Sequence, residues 1–336
     1  FISVEVQYTK MFKKGNIIRD SAEFLDENLT GNVNVLLRVS SDLGPESLKT
    51  PKNLKDIEKI QTYLDSLEKV TTTISINDVV KQMHKTIMYE DDTYYTIPES
   101  VQQINSLIFL YEMNDESDIS SLINFDGDQG IITALMETFS TKKVPGIMEN
   151  INNFIEENIY NDNKNIKFEI TGMMMFIVDF MWLVIKSSAI SIALSLLIIY
   201  FISMLFFKSW KMGILSIIPL LSAVFLNFGL MGWFEIQLTH LTALLSSIII
   251  GVGVDFTIHY ISEYQKIKEE KGLNNISVNT IDNVGYPIIL DAWSNMGFGA
   301  LLLSTIIPLA QIGGLMIFAM LSTLIGALTL LASTLE

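Results

Sequence analysis

Residues 238–261 read LTHLTALLSSIIIGVGVDFTIHYI. As a helix this stretch is long enough to cross the ~30 Å hydrocarbon core of a bilayer. It also contains a carboxylate, Asp255. An ionisable group at the centre of a span costs about 2.5–3.5 kcal/mol on insertion scales, so such groups face a bundle interior or a solvated path and often mark an ion or substrate route. Chain organisation and chemistry are both read outward from this one residue.

Four further segments have the length and apolar character of spans: about 187–207, 212–234, 285–306 and 311–333. Pro219 lies inside one of them, which membrane helices tolerate. The charge divides in the same place. Residues 1–186 hold 17 Lys/Arg and 29 Asp/Glu, whereas residues 187–336 hold 5 and 8. The expectation is a polar domain over 1–186 followed by an all-α, five-helix transmembrane domain over 187–336. The net charge of −15 leaves no basic face for nucleic acid. With no cysteine, disulfides, thiolate zinc sites and thiol nucleophiles are excluded. The chain starts at Phe1 rather than Met and is expected to be part of a longer polypeptide.

The basic residues orient the spans. Lys208 and Lys211 lie between the first and second, and Lys266, Lys268 and Lys271 between the third and fourth. Both loops are assigned to the cytoplasm, which makes residues 1–186 extracytoplasmic, as expected of a multi-pass protein of the cytoplasmic (inner) membrane. Trp182, Trp210 and Trp233 fall near the expected interfaces. The polar stretch 262–284 reads as a cytoplasmic connector or a short surface helix.

In the polar domain, alternation predicts strands at 33–40, 71–75, 130–139 and 165–171. Helical periodicity covers Pro51 to about Lys69, 77–88, 99–111 and 145–160. The order β-α-β, helical insertion, β-α-β is that of a ferredoxin-like (split βαβ) domain, an α+β fold. No Gly-rich phosphate loop, His cluster or nucleophile with a base is present, so neither an enzyme, a cofactor nor a metal site is expected. The acidic pairs Asp91–Asp92 and Asp126/Asp128 read as turn residues, with no calcium-binding loop around them.

A second intramembrane acid, Asp291, lies in the fourth span. Counted from the expected span ends at Ser262 and Gly285, both acids lie about 9–11 Å inside the cytoplasmic boundary. They would meet at one level if their faces turn together, and two adjoining carboxylates cannot both ionise easily. His259 is four residues from Asp255, on the same helix face, and reads either as a proton relay or as an interfacial residue. Asn295 and Ser294 are four and three residues from Asp291, within hydrogen-bonding reach on that side. Gly251, Gly253, Gly297 and Gly299 flank the acids and would permit close helix approach.

The stretch GVGVDFTIHYISEYQ at 251–265 resembles the fourth-helix motif of the resistance-nodulation-division (RND) superfamily, in particular its MMPL and hydrophobe/amphiphile exporter branches. GYPIILDAWSNMGFGALLLS at 285–304 is similar to the helix that follows, and FKSWKMGILSIIPLL at 207–221 to the family's interhelical turn. The resemblance implies a porter-type extracytoplasmic domain and one of two repeats, lacking its first helix; the stretch KQMHKTIMYEDDTYYTIPES resembles the second repeat's domain. It also implies proton-coupled export of hydrophobic or amphiphilic compounds or lipids, with Asp255 as the coupling acid. Phe256 stands where relatives often carry Tyr, and Asp291 where they carry Asn or a small polar residue. The partners implied are the lipid bilayer, a hydrophobic or lipid substrate, the other repeat of the polypeptide, and a homo-oligomer or periplasmic subunit. Two other functions fit the same architecture: a sterol-sensing-domain-like lipid sensor without transport, and a protein-export accessory factor, although the latter branch has a smaller polar domain.

Overall fold

The computed structural model describes residues 9–113, 119–271 and 275–335. The chain divides into two units, residues 17–179 and residues 9–16 with 180–335.

The first unit opens with α1 (Ile17–Asn28) and β1 (Val33–Ser41). There follow α2 (Pro51–Asp65), β2 (Val70–Ile74), α3 (Ile76–Ile87), α4 (Val101–Glu112), β3 (Gln129–Met136), α5 (Val144–Ile155) and β4 (Ile166–Thr171). The four strands form one sheet in the order β2-β3-β1-β4, with every neighbouring pair antiparallel. Inward residues of β1 alternate as Val33, Val35, Leu37 and Val39, and pack with Ile132, Ala134, Ile166 and Phe168 against Leu54, Ile57 and Ile60 of α2 and Ile151 and Ile155 of α5. The helix starts are chemically specified. Pro51 opens α2 behind Thr50, whose side chain accepts from the Asn53 N–H. At α3, Ser75 Oγ accepts the Asn77 N–H at 3.0 Å and Asp78 Oδ2 accepts the Ser75 N–H at 2.7 Å, a capping box.

The expected strand 130–139 stops at Met136, and the helix expected over 145–160 changes at Glu156 into a π-helical turn ending at Tyr160. The Tyr160 hydroxyl accepts the Phe168 N–H at 3.0 Å, which ties that turn to β4. Helix α1 has no counterpart among the expected elements.

The second unit contains most of α6 (Met173–Phe206), then α7 (Trp210–Trp233), α8 (His240–Lys271), α9 (Ile276–Asn295) and α10 (Ile307–Ile325). Among the described residues four helices are long and apolar enough to cross a membrane, at Met173–Phe206, Trp210–Trp233, Leu241–Glu270 and Ile307–Leu335. Two expectations need correction. The segment 285–306 is not one continuous helix. It is the second half of α9 followed by a 3-10 stretch, Met296–Leu303, and it is not among those four. A Cβ at Gly299 would come within 2.6 Å of Ile317 Cδ1, and one at Gly313 within 2.8 Å of the Leu302 backbone, so glycines on both partners let this stretch lie against α10. The polar segment 262–284, expected as a connector or a short surface helix, consists largely of two helix ends. α8 continues to Lys271 and α9 starts at Ile276, while residues 272–274 lie outside the described residues. Tyr264, Ile267 and Ile276 are buried there and continue the apolar seam of the bundle beyond the expected span.

Candidate functional site

The site is built on α8. Its start is a reciprocal cap, in which Thr239 Oγ1 accepts the Thr242 N–H at 3.2 Å and Thr242 Oγ1 accepts the Thr239 N–H at 2.8 Å. From there the helix presents two faces. Ile249, Ile250, Gly253, Phe256, Tyr260, Ile261 and Tyr264 are buried in the bundle. Leu244, Ile248, Gly251, Asp255, His259, Ser262 and Lys266 form a single exposed stripe, spaced by three and four residues. Asp255 therefore faces away from the helices of its own chain. His259 lies one turn along on the same stripe, and no hydrogen bond joins the two among the described residues.

The glycines around Asp255 differ in role. A Cβ at Gly253 would sit 2.8 Å from both Leu220 Cδ2 and Thr323 Cγ2, so Gly253 is where α7, α8 and α10 meet. Gly251 has open space at its Cβ position, as does Gly297. At these two positions the glycine is not required by packing within the described residues of this chain. Phe256 is fully buried. Position 256 therefore points into the bundle, and a hydroxyl there would not lie on the Asp255 stripe.

Asp291 and Asp255 share a depth but no hydrogen bond. Asn283 Nδ2 donates to Glu263 Oε1 at 2.8 Å across α8 and α9. Eight residues onward along each antiparallel helix are Asp291 and Asp255, which places the acids at one level. Asp291 is exposed, and its Oδ1 accepts from Asn295 Nδ2 at 3.2 Å along its own helix. Asn295 is half-buried and Ser294 exposed.

Some polar groups in the bundle escaped the sequence reading. Asn227 of α7 is 2% exposed, and neither its side-chain nitrogen nor its oxygen has a hydrogen-bond partner among the described residues. Thr257 Oγ1, Ser188 Oγ and Ser203 Oγ are likewise buried without one. Asn227, like Asp255, is a polar residue within an apolar run. Tyr264 donates its hydroxyl to the Leu335 carbonyl at 2.6 Å and ties the end of α8 to the last helical turn.

Among the described residues no group of three or more His, Cys, Asp or Glu could hold a metal ion. In the first unit Asp91 is a turn residue. Its carboxylate accepts the Thr93 N–H at 2.9 Å and the Thr93 hydroxyl at 2.8 Å, which holds its pKa below the ordinary value. Asp128 accepts from Asn124 Nδ2 at 2.8 Å within the 124–129 turn.

A family model described as the sterol-sensing domain of SREBP cleavage-activation matches residues 208–332, a range that takes in α7 to α10 and with them Asp255, His259 and Asp291. A Methanocaldococcus jannaschii protein named as a membrane protein, MJ1562, is 23% identical over 339 residues, covering 98% of this chain and 84% of that protein. The chain is a membrane protein whose helical bundle is similar to a sterol-sensing domain.

Proposed function

We propose that the protein is a proton-coupled secondary exporter of hydrophobic or amphiphilic compounds, lipids among them, of the RND type and closest to its MMPL branch. The observation that carries this reading is the outward stripe of α8. A carboxylate turned to hydrocarbon is costly, so Gly251, Asp255 and His259 belong against protein. Asp255 binds and releases the proton there, and His259 lies one turn toward the end of the bundle bearing Lys208, Lys211, Lys266 and Lys268, which this reading places at the cytoplasm. Asp291 and Asn295 form a polar pair at the same depth on the neighbouring helix.

The covering partner is a second copy of the chain or a second repeat of the same polypeptide. The Methanocaldococcus protein has only 16% of its length outside the match (100 minus 84), too little for another repeat of this size. That favours two copies related by a two-fold axis, with the same stripe on both sides. The open space over Gly251 suits such an approach. In this reading the first unit, with its antiparallel sheet in the order β2-β3-β1-β4, is a split βαβ domain of the porter type that is extracytoplasmic and handles substrate.

A second reading is a lipid sensor without transport, favoured by the sterol-sensing match. The two part in proteoliposomes. An exporter moves a fluorescent lipid only when a pH gradient is imposed, and carries protons as it does so. A sensor binds lipid with equal affinity whether or not a gradient is present.

A further inference from the structure

Helix α1 is assembled inside out. Its residues Arg19, Ala22, Glu23 and Asp26, spaced by three and four, are the half-buried ones. Arg19 pairs with Glu23 at 2.7 Å, Asp26 Oδ1 accepts the Thr138 N–H at 3.1 Å, and the Ala22 carbonyl accepts from Asn32 Nδ2 at 3.2 Å. The polar face is thus fastened to the body of its unit. The opposite side carries Ile17, Ile18, Phe24 and Leu25, with Leu29 just beyond the helix and Ser21 and Asn28 between them. All five apolar residues are exposed, Ile17 to 79% and Phe24 to 58%. A surface helix ordinarily turns its apolar stripe to the core and its charges to water, and α1 does the reverse.

The chain just upstream of α1 belongs to the membrane unit. Phe12 forms a β-bridge with Ile306, and the Lys13 N–H donates to the Thr305 carbonyl at 3.3 Å. Ile306 immediately precedes α10, which opens one of the four apolar spans. Lys13 is therefore held at the end of a span. The four residues from Lys13 to Ile17 reach at most ~14 Å, and the Asn16 N–H turns back onto the Lys13 carbonyl at 3.2 Å and shortens that reach. Lys10, Lys13 and Lys14 are exposed in this segment, without an ion-pair partner among the described residues, in a chain of net charge −15.

We propose that α1 is an interfacial helix that lies on the bilayer in which its own spans are embedded. Ile17, Ile18, Phe24, Leu25 and Leu29 enter the boundary between headgroups and acyl chains, and Lys10, Lys13 and Lys14 engage anionic headgroups. Helices of this kind bury their apolar face about 5–10 Å into that boundary, which is within reach of the tether. A free-standing helix of twelve residues would bind weakly, but the short tether to a span keeps the start of α1 from leaving the surface far behind. The inference does not depend on whether the protein transports or senses lipid.

The absence of cysteine makes the test direct. Single variants Leu25→Cys, Ile18→Cys and Asp20→Cys of the full chain carry an environment-sensitive fluorophore. They are reconstituted into vesicles of phosphatidylcholine and phosphatidylglycerol with brominated acyl chains. All three positions are exposed, and circular dichroism verifies that each variant keeps its fold. The labels at 18 and 25 are expected to be quenched at least about threefold more than the label at 20, and less so when phosphatidylglycerol is left out. Equal, water-like emission at all three positions overturns the proposal. So does a Leu25→Cys disulfide between two copies without quenching, which would assign the face to a second protein molecule. Quenching that ignores phosphatidylglycerol overturns the role given to the lysines.

Discussion

Gly251 and Gly253 are two residues apart and face opposite ways, and the contrast gives a prediction. A side chain at Gly253 must displace Leu220 and Thr323. Gly253→Val is expected to destabilise the bundle by about 1–3 kcal/mol, as over-packing does, seen as a lower midpoint of thermal unfolding in detergent. Gly251→Val should unfold with the wild-type midpoint yet impair self-association in the membrane, measured by cross-linking. Asn227 makes a different case. A buried amide without partners costs about 1–3 kcal/mol, so Asn227→Leu is expected to leave the unfolding midpoint unchanged or raise it; a lower midpoint would mean that the amide has a partner, such as an internal water. At this scale the sequence identified the misplaced charge but not its direction. Leu, Ile, Val, Ser and Gly surround Asp255 on every side of α8, so no hydrophobic stripe marks which face turns inward. Only the packing of Phe256 and Tyr260 decides it.

Among the elements, the start of α2 was legible because capping chemistry is local and Pro51 signals it, whereas α6 and α9 begin at Met173 and Ile276, well before the spans expected from 187 and 285. Ser75 and Asp78 show how local that chemistry is: Ser75→Ala should cost about 1 kcal/mol, read from chemical denaturation followed by far-ultraviolet circular dichroism. No change in the denaturation midpoint would mean that the cap adds nothing to α3. The sheet was legible for a similar reason, since β1 alternates buried and open positions along its whole length. The α8–α9 region was not. Residues 262–284 look polar as a block, and polarity hides the spaced Tyr264, Ile267 and Ile276 that hold two helix ends to the bundle. The change from α9 to the 3-10 stretch was hidden too, because the glycines Gly299 and Gly313 that let this stretch lie against α10 lie far apart along the chain. Helix α1 escaped notice because its polar residues face its unit, against the rule by which amphipathic helices are recognised.

For the whole molecule, the question is what covers the surfaces that the chain leaves open. Half of the apolar window of α8 and of the last span is buried, against 39% for α7 and 6% for α6. α8 and the last span therefore make the centre of the bundle, and α6 packs little within it. A ladder of residues running from Leu244 to Lys266 nonetheless stays open on the central helix α8, with Asp255 in the middle. Residues 9–16, which the charge division put with the polar domain, group with the helical unit. The outward aim of the site was not legible either, because a partner that is another copy or another repeat leaves no trace in the sequence of one. In the proposed function Asp255 couples proton movement to lipid export on that open face. The most direct test is lipid export driven by an imposed pH gradient in proteoliposomes, comparing wild type with Asp255→Asn at matched insertion and folding. The account predicts that Asp255→Asn abolishes gradient-driven export and the accompanying proton flux. Export by Asp255→Asn at the wild-type rate would contradict it.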